Sequence, residues 1–400
     1  GRTARAHWRS RATIAVGCVA VLAAGGGFFL FGRGNGTTSK HPAALTLPGC
    51  TTAVAKAPQL HQLASQMSGL GGQPFDVATR PGFAFVSFTN GRLAVMSTAK
   101  SPASTLSTVQ VPLGSLGETL TPDQSHLVVS GSSGLTVYQV SALEQGGTAT
   151  PLGSLTSPGQ KHAAEVAVTP DGRFAFVTYQ TTHNVGVFNL QRALSSGFSP
   201  ADLVGLIPVP PEPIGIALSP DGRYAYVTSA GQGNSSAGGG LTIVNVRTAE
   251  ADPARAVIKR VAAGCGPSRV ITSADGQQLW VTAAGSNALL GFSAAKLLSE
   301  PQHALLARQA VGAVPLGLTL VDHGTRIVVA DSDRGKPPGG ASDLAVVGVQ
   351  DALAHRPALL GYLASGQQPR QFALLPGGGT LLVTNTGSQQ LQAVNLAHLP

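Results

Sequence analysis

The residues that could bind a polar ligand or take part in catalysis recur at nearly the same position of a repeated segment. Four of them stand two residues after the start of a copy, and two more stand directly beside such a position; the set is Asp76, Glu118, Glu165, Arg269, Arg370 and Gln371. Carboxylates beside a guanidinium can orient a polar ligand or act as general acid and base. The alternative is that an opening near water simply tolerates charged side chains. We predict that these residues line a ligand-binding opening.

Familiar catalytic signatures are absent from the sequence. It contains no G-x-S-x-G elbow, no H-E-x-x-H, no P-loop and no dinucleotide-binding fingerprint. The ten histidines show no pairing spacing, and only His162, just before the third copy, is added to the predicted ligand-binding set. No catalytic residue can therefore be assigned, and a non-catalytic role is favoured.

The elements that position these residues are seven copies of one segment. Two copies read "AVTPDGRFAFVTYQ" and "ALSPDGRYAYVTSA", and successive copies are 41 to 54 residues apart. The copies start at Pro74, Ser115, Ala163, Pro213, Pro267, Pro315 and Pro369. Periods of this length are typical of solenoids and propellers.

Each copy reads as four short antiparallel strands. Apolar and polar residues alternate in "GIALS" and "RYAYVTS", and the Pro-Asp-Gly between such runs is a tight turn. Further runs such as "LTIVNV" and "AVIKRVAAG" supply a third and a fourth strand, and "SALEQ", "LQRALSS", "SAAKLLSE" and "VQDALAHRPALL" indicate short helices after third strands. Seven units of four strands predict an all-β, seven-bladed β-propeller over residues 58–400.

The ring must be closed by a segment that precedes the first copy. The sequence ends after three strands of its last copy, which leaves an open edge. We predict that residues 58–72 add the missing strand to the last blade.

The repeat resembles the YVTN family of β-propeller repeats. The shared features are Pro-x-x-apolar, then Ser/Thr-Pro-Asp-Gly, then Tyr/Phe-Val-Thr, and the resemblance covers residues 74–400. Blades one and six depart from it at "TRPGFAFV" and "LVDHGTRIVV" but keep the spacing. The family is found in bacterial and archaeal surface proteins and is related to lactonase-like seven-bladed propellers. The resemblance implies either a binding propeller or a hydrolase of sugar lactones, and it matches no catalytic motif.

The first 57 residues predict a tail, an anchor and a linker. Residues 1–11 are basic, residues 12–32 are almost entirely apolar, and residues 33–57 are small, polar and interrupted by proline. About 20 apolar residues can span a bilayer as a helix, and the preceding arginines favour a cytoplasmic N-terminus. We therefore expect a single-pass membrane protein with an extracytoplasmic, monomeric propeller on a flexible linker. The alternative is a cleaved signal peptide and a secreted domain.

The charge distribution and the cysteines bear on nucleic-acid binding and on disulfide formation. The net charge is +8, but residues 1–40 contain six basic residues and no acid, so the rest of the chain is nearly neutral and no nucleic-acid partner is expected. Cys50 and Cys265 are the two cysteines on the exported side, where they could form a disulfide or remain separate thiols.

The loop that begins at Asp331 is the only place where a cofactor is considered. It contains Asp331, Asp333 and Asp343 but lacks the regular ligand spacing of a calcium loop, so calcium is an alternative to an ordinary solvated loop. No other metal or cofactor is expected. The function that we expect is binding of a protein, a glycan or a small molecule at the channel opening, with lactone hydrolysis as the alternative.

Overall fold

The structure, a computed structural model, describes residues 45–50, 52–60, 65–231, 239–333 and 342–400. These residues belong to one compact unit, Ala44–Pro400. The predicted tail at 1–11 and the predicted anchor at 12–32 lie outside the described residues. Within the described part of the chain, no helix has the length and apolar character needed to cross a bilayer.

Seven four-stranded antiparallel sheets form the blades, which confirms the predicted seven-bladed β-propeller. We number the strands of a blade outward from the central channel. Blade one contains Pro74–Arg80, Phe83–Phe88, Arg92–Ser97 and Ser104–Gln110. Blade two contains Glu118–Leu120, His126–Ser130, Gly134–Gln139 and Gly153–Thr156. Blade three contains Ala163–Val168, Phe174–Tyr179, Asn184–Asn189 and Leu203–Pro208. Blade four contains Pro213–Leu218, Tyr224–Ser229, Gly240–Asn245 and Val257–Val261. Blade five contains Pro267–Thr272, Gln278–Ala283, Ala288–Ser293 and Leu305–Ala310. Blade six contains Pro315–Val321, Arg326–Asp331, Asp343–Gly348 and Leu359–Ala364. Blade seven contains Pro369–Leu374, Thr380–Asn385 and Gln390–Asn395, followed outward by Ser65–Gly69.

The last blade is closed by the predicted N-terminal segment. Ser65–Gly69 pairs antiparallel with the third strand of blade seven, with Ser65 opposite Val394 and Gly69 opposite Gln390. The closing strand therefore comes from the start of the domain and the other three strands from its end, which leaves no unpaired edge on the third strand.

A buried hydroxyl joins most blades to the next one. Thr228, in the "YVTS" of blade four, accepts a hydrogen bond from the amide of Gly215 at 3.0 Å and donates one to the carbonyl of Ser268 in blade five at 2.7 Å. The residues that make the same link to the next blade are Ser87, Ser130, Thr178, Thr228, Thr282 and Thr384. Blade six has Ala330 at this position. The repeated Ser or Thr is thus explained by the assembly of the ring.

The Pro-Asp-Gly turns are held by their own side chains. Ser219 donates to Asp221 at 2.6 Å, and Asp221 accepts from the amide of Arg223 at 3.0 Å. Gly222 has a φ of +69°, and a Cβ there would lie 3.3 Å from Pro170 in the turn of blade three. The repeated turn therefore shapes one end of each blade and packs on the turn beside it.

The apolar core is divided into seven layers between neighbouring blades. One layer, for example, joins Val137 of blade two to Val177 of blade three, and another joins Val187 of blade three to Val227 of blade four. The blade order is therefore set by packing of one sheet face against the next.

Short helices follow the third strands of five blades. They span Val140–Glu144, Leu190–Ser196, Val246–Ala249, Ala294–Ser299 and Val349–Leu353. Four of them overlap the predicted helical pieces. The fifth, Val246–Ala249, was not predicted; its start is stabilised by Asn245, whose side chain accepts from the amide of Thr248. Single 3-10 turns span Pro200–Asp202, Pro253–Arg255, Ala284–Ser286, Pro301–His303 and Asp322–Gly324.

Residues 45–50 and 52–60 form an N-terminal strap along blades five and six. The Sγ atoms of Cys50 and Cys265 are joined in a disulfide. The hydroxyl of Tyr362 donates to the carbonyl of Ala55 at 2.7 Å, and Gln59 forms a parallel bridge with Tyr362. Most of the strap falls within the predicted linker at 33–57, so this part of that segment lies against the propeller.

Candidate functional site

An ion pair spans the central channel. Glu165 on the first strand of blade three pairs with Arg269 on the first strand of blade five, and both side chains are about nine-tenths buried. Gln371, on the first strand of blade seven, donates from Nε2 to the same Oε1 of Glu165 at 3.2 Å. Three alternate blades thus meet at one carboxylate, and the guanidinium of Arg269 is already paired within the protein.

Asp76 is a buried carboxyl that ties blade one to blade two. Its Oδ1 accepts from the amide of Val77 at 2.8 Å, and its Oδ2 accepts from the amide of Glu118 at 3.1 Å. Burial, followed by the charge of Glu165, raises the pKa of Asp76 to about 7, although the two amides and Arg269 oppose the shift. Asp76 can therefore exchange a proton near neutral pH.

Glu118 occupies a position that is apolar in every other blade. It lies opposite Val129 in the blade-two sheet, and the corresponding positions hold Val77, Val166, Ile216, Val270, Leu318 and Phe372. Its side chain is buried, and neither carboxyl oxygen makes a hydrogen bond of ordinary geometry. Burial and the neighbouring Asp76 raise the pKa of Glu118, while the backbone amides of Ala78 and Ser87 oppose the rise.

Arg370 and His162 have different positions relative to this group. The guanidinium of Arg370 stacks on the ring of Phe75, 3.6 Å from its centroid, next to Asp76 in the sequence. His162 is exposed at the start of blade three, where its φ of 55° is a turn conformation. We define the channel cluster as Asp76, Glu118, Glu165, Arg269, Arg370 and Gln371. The structure brings these six predicted residues together and leaves His162 at the surface.

Three blades have a glycine at the position that holds Asp76, Glu165, Arg269 or Gln371 in the others, and these glycines have a packing role. A Cβ on Gly117, Gly215 or Gly317 would overlap the carbonyl oxygen of Ala164, Ser268 or Arg370, respectively, in the next blade. These glycines let neighbouring inner strands approach each other closely. The channel cluster is therefore more enclosed than the sequence suggested.

The other candidate acids lie at the end of blade six. Asp331 is buried, which raises its pKa well above the ordinary value, and Asp343 accepts from Gln59 of the strap at 3.4 Å. Residues 334–341 of the predicted calcium loop lie outside the described residues. In the part of the chain that is described, no three His, Cys, Asp or Glu side chains are grouped to hold a metal ion.

Sequence reasoning missed two features of the cluster. Phe75 was not singled out, although its aromatic ring precedes Asp76 and is the surface on which Arg370 stacks. The burial of Glu118 against blade one was also missed; comparing the position of Glu118 with its apolar counterparts in the other copies could have revealed it.

Together, the blades and the channel cluster define the chain as a seven-bladed β-propeller with a charged, buried group in its channel. No protein-family model and no curated protein matches the sequence.

Similarity is found among solved structures. One is hydrazine synthase from Kuenenia stuttgartiensis, with a TM-score of 0.66 and 14% identity over 82% of this chain and 97% of that chain. Another is a functionally unknown protein from Desulfotomaculum acetoxidans DSM 771, with a TM-score of 0.53 and 16% identity over 73% of this chain and 86% of that chain. At these identities the likeness establishes the fold alone.

Proposed function

We propose that this chain is an extracytoplasmic binding propeller of the YVTN type, held at the membrane by residues 12–32, and that the channel cluster binds a small polar ligand without catalysis. The repeat supports the family assignment through its Ser/Thr-Pro-Asp-Gly turns and its buried Thr. The disulfide between Cys50 and Cys265 supports an oxidising compartment.

The observation that carries this proposal is Glu118. Burying the Glu118 carboxyl, whose oxygens make no hydrogen bond of ordinary geometry, costs free energy, whereas Val, Ile, Leu or Phe at the same position contributes to the core. The other six blades of the same chain have an apolar residue at this position. A residue that lowers stability where a stable alternative is available is typical of a functional site.

The test combines binding and stability. The full chain is screened by thermal shift against small polar metabolites and oligosaccharides, and hits are repeated with Glu118→Gln. The matched control is Glu300→Gln, because Glu300 is an exposed carboxylate on the outer side of blade five. We expect hits that Glu118→Gln weakens at least tenfold and Glu300→Gln leaves unchanged. Hits that are insensitive to Glu118 would refute the site.

A lactonase-like hydrolase is the second candidate, and Asp76 is the observation that favours it. A carboxyl with a pKa of about 7 is suited to proton transfer at neutral pH, and the nearby Glu165 is held in an ion pair instead. Hydrolysis of sugar lactones by the wild type, with loss in Asp76→Asn, would establish this alternative. Absence of hydrolysis with and without divalent metal favours binding alone.

A further inference from the structure

We propose a second binding site, for a neutral pyranose sugar, between blades four and five at the end of the blades where the Asp-Gly turns lie. The cavity there has a volume of about 350 Å³, which is within the size range of small-molecule sites. We define the turn groove as this cavity, lined by Asp221, Arg223, Tyr224, Tyr226, Asp275 and Ala295. No member of the channel cluster lines it, so the inference goes beyond the proposed function.

The preceding pair of blades has nearly the same turn but a different surface beside it. Blade three has Phe174 and Phe176 where blade four has Tyr224 and Tyr226. Phe174 and Phe176 are 4% and 0% exposed and belong to one apolar layer with Val246 of the blade-four helix. Tyr224, by contrast, is only half-buried. The chain thus places two phenol hydroxyls at the blade-four surface where blade three has only hydrocarbon.

The short helix beside the turn groove also has smaller residues than its counterpart. The first two residues of the blade-five helix are Ala294 and Ala295, whereas those of the blade-four helix are Val246 and Arg247. Both alanines line the cavity. They leave room that longer side chains at these positions would occupy. The turn groove is therefore a property of this pair of blades and does not follow from the repeat itself.

Two carboxylates, a guanidinium and a phenol provide the polar groups of the turn groove. Asp221 and Asp275 are exposed, and hydrogen bonds from nearby serine hydroxyls lower the pKa of each, so both are ionised acceptors at neutral pH. The guanidinium of Arg223 lies over the ring of Tyr224, 5.4 Å from its centroid. Burial, followed by the charge of Asp221, raises the pKa of Tyr226 to about 12, so its hydroxyl keeps its proton and can donate.

These groups favour a neutral, hydroxyl-rich ring over a charged ligand. Because both carboxylates are exposed to water, an ion pair with either would contribute little, and Arg223 repels a cation. A sugar hydroxyl can donate to a carboxylate and accept from a guanidinium or a phenol. The rings of Tyr224 and Tyr226, tilted by 40° with centroids 6.5 Å apart, offer apolar surface to the C–H groups of a pyranose.

The experiment is saturation-transfer NMR and titration of the full chain with neutral disaccharides. The probes are cellobiose, maltose, lactose and N,N′-diacetylchitobiose, and glucosamine and glucuronate are their cationic and anionic counterparts. We expect at least one neutral disaccharide to bind, with saturation transferred mainly to the C–H protons that face the tyrosines. The two charged sugars should bind about tenfold more weakly, or not at all.

Two pairs of variants locate the site. Asp221→Asn should raise Kd about tenfold, because a charged acceptor is lost. Its matched control is Asp171→Asn, since Asp171 accepts the same hydrogen bonds in the blade-three turn and should leave Kd unchanged when replaced. Ala295→Arg installs the residue of the blade-four helix and should abolish binding by filling the groove. Lys296→Arg, at the next position of the same helix, should not change Kd.

The outcomes separate this inference from the proposed function. If a charged sugar binds and the neutral disaccharides do not, the ligand class is wrong. If a disaccharide binds equally well to wild type, Asp221→Asn and Ala295→Arg, the turn groove is not its site. If Glu118→Gln weakens sugar binding and Asp221→Asn does not, the sugar is a ligand of the channel cluster; this result overturns the inference and supports the proposed function. Absence of binding by all the sugars also overturns the inference, and the metabolite screen then decides the proposed function separately.

Discussion

The disulfide between Cys50 and Cys265 should contribute much of the stability of the ring. It joins residues 215 positions apart, and the N-terminal strap that it fixes leads directly into the closing strand Ser65–Gly69. Loop-closure entropy for a separation of this size corresponds to about 5 kcal/mol at 25 °C, which sets the upper end of the effect. Native-state contacts of the strap, such as the hydrogen bond from Tyr362 to Ala55, remain after the bond is broken.

We therefore predict that Cys50→Ser, Cys265→Ser and the double variant lose similar free energies of unfolding, roughly 3–5 kcal/mol each. For a domain of this size the loss corresponds to a fall in Tm of roughly 5–8 °C. The assay is urea unfolding followed by tryptophan fluorescence, with and without dithiothreitol. Reductant should lower the wild-type midpoint to that of the variants and leave the variants unchanged.

The control is Cys18→Ser, which removes the third cysteine and should alter neither the midpoint nor its response to reductant. The reasoning is refuted if the two single variants differ from each other by more than about 1 kcal/mol. It is also refuted if reduction leaves the wild-type midpoint unchanged, because the disulfide would then contribute nothing to the stability of the ring.

Four further predictions concern the ring, its turns, the channel cluster and the closure of the ring. Thr228→Val should lose about 2–3 kcal/mol in urea unfolding, because the amide of Gly215 and the carbonyl of Ser268 lose their shared partner; Thr105→Val, on an exposed outer strand, should change little. Hydrogen bonds from Thr121 and Ser125 lower the pKa of Asp123 to about 2, so the stability of the fold should decrease as pH falls from about 4 to about 2. Asp123→Asn should reduce this loss of stability, as measured by unfolding midpoints at a series of pH values. In the opposite sense, the raised pKa of Asp76 stabilises the protonated folded state, so stability should fall as pH rises from about 4 through about 7, and Asp76→Asn should flatten that part of the profile. Deletion of residues 58–72 should unfold the domain by circular dichroism, whereas a folded, monomeric truncation would disprove closure by the N-terminal strand.

The blades could be predicted because the residues of each copy determine its strands and turns locally. In blade four, alternation in "GIALS" and "RYAYVTS" fixes two strands, and Ser219, Asp221 and Gly222 provide the bonds and the φ of the turn between them. These are short-range effects that act within a few residues. The strap was described only as a linker because its contacts are long-range. Tyr362 and Asn287 bind backbone carbonyls of the strap, and a carbonyl leaves no signature in the sequence.

The members of the channel cluster could be predicted, but their pairing could not. Equivalent positions in the copies placed Asp76, Glu165, Arg269 and Gln371 at one level of the ring. That Glu165 pairs with blades five and seven depends on the diameter of the ring and on side-chain length. Successive residues of a strand point to opposite sides, so Glu118, one residue beyond the channel position of its copy, faces the adjacent blade. Its burial therefore depends on strand register.

The most direct test of the account is Glu118→Leu, which installs the residue that blade six has at the same position, Leu318. Urea unfolding and titration with the ligand identified by the screen are measured on the same preparation. The account predicts that the free energy of unfolding rises by roughly 1–3 kcal/mol, because a buried carboxyl that makes no hydrogen bond of ordinary geometry is removed, and that binding is lost. A fall in stability, or ligand binding equal to that of the wild type, would contradict the claim that Glu118 is kept for function.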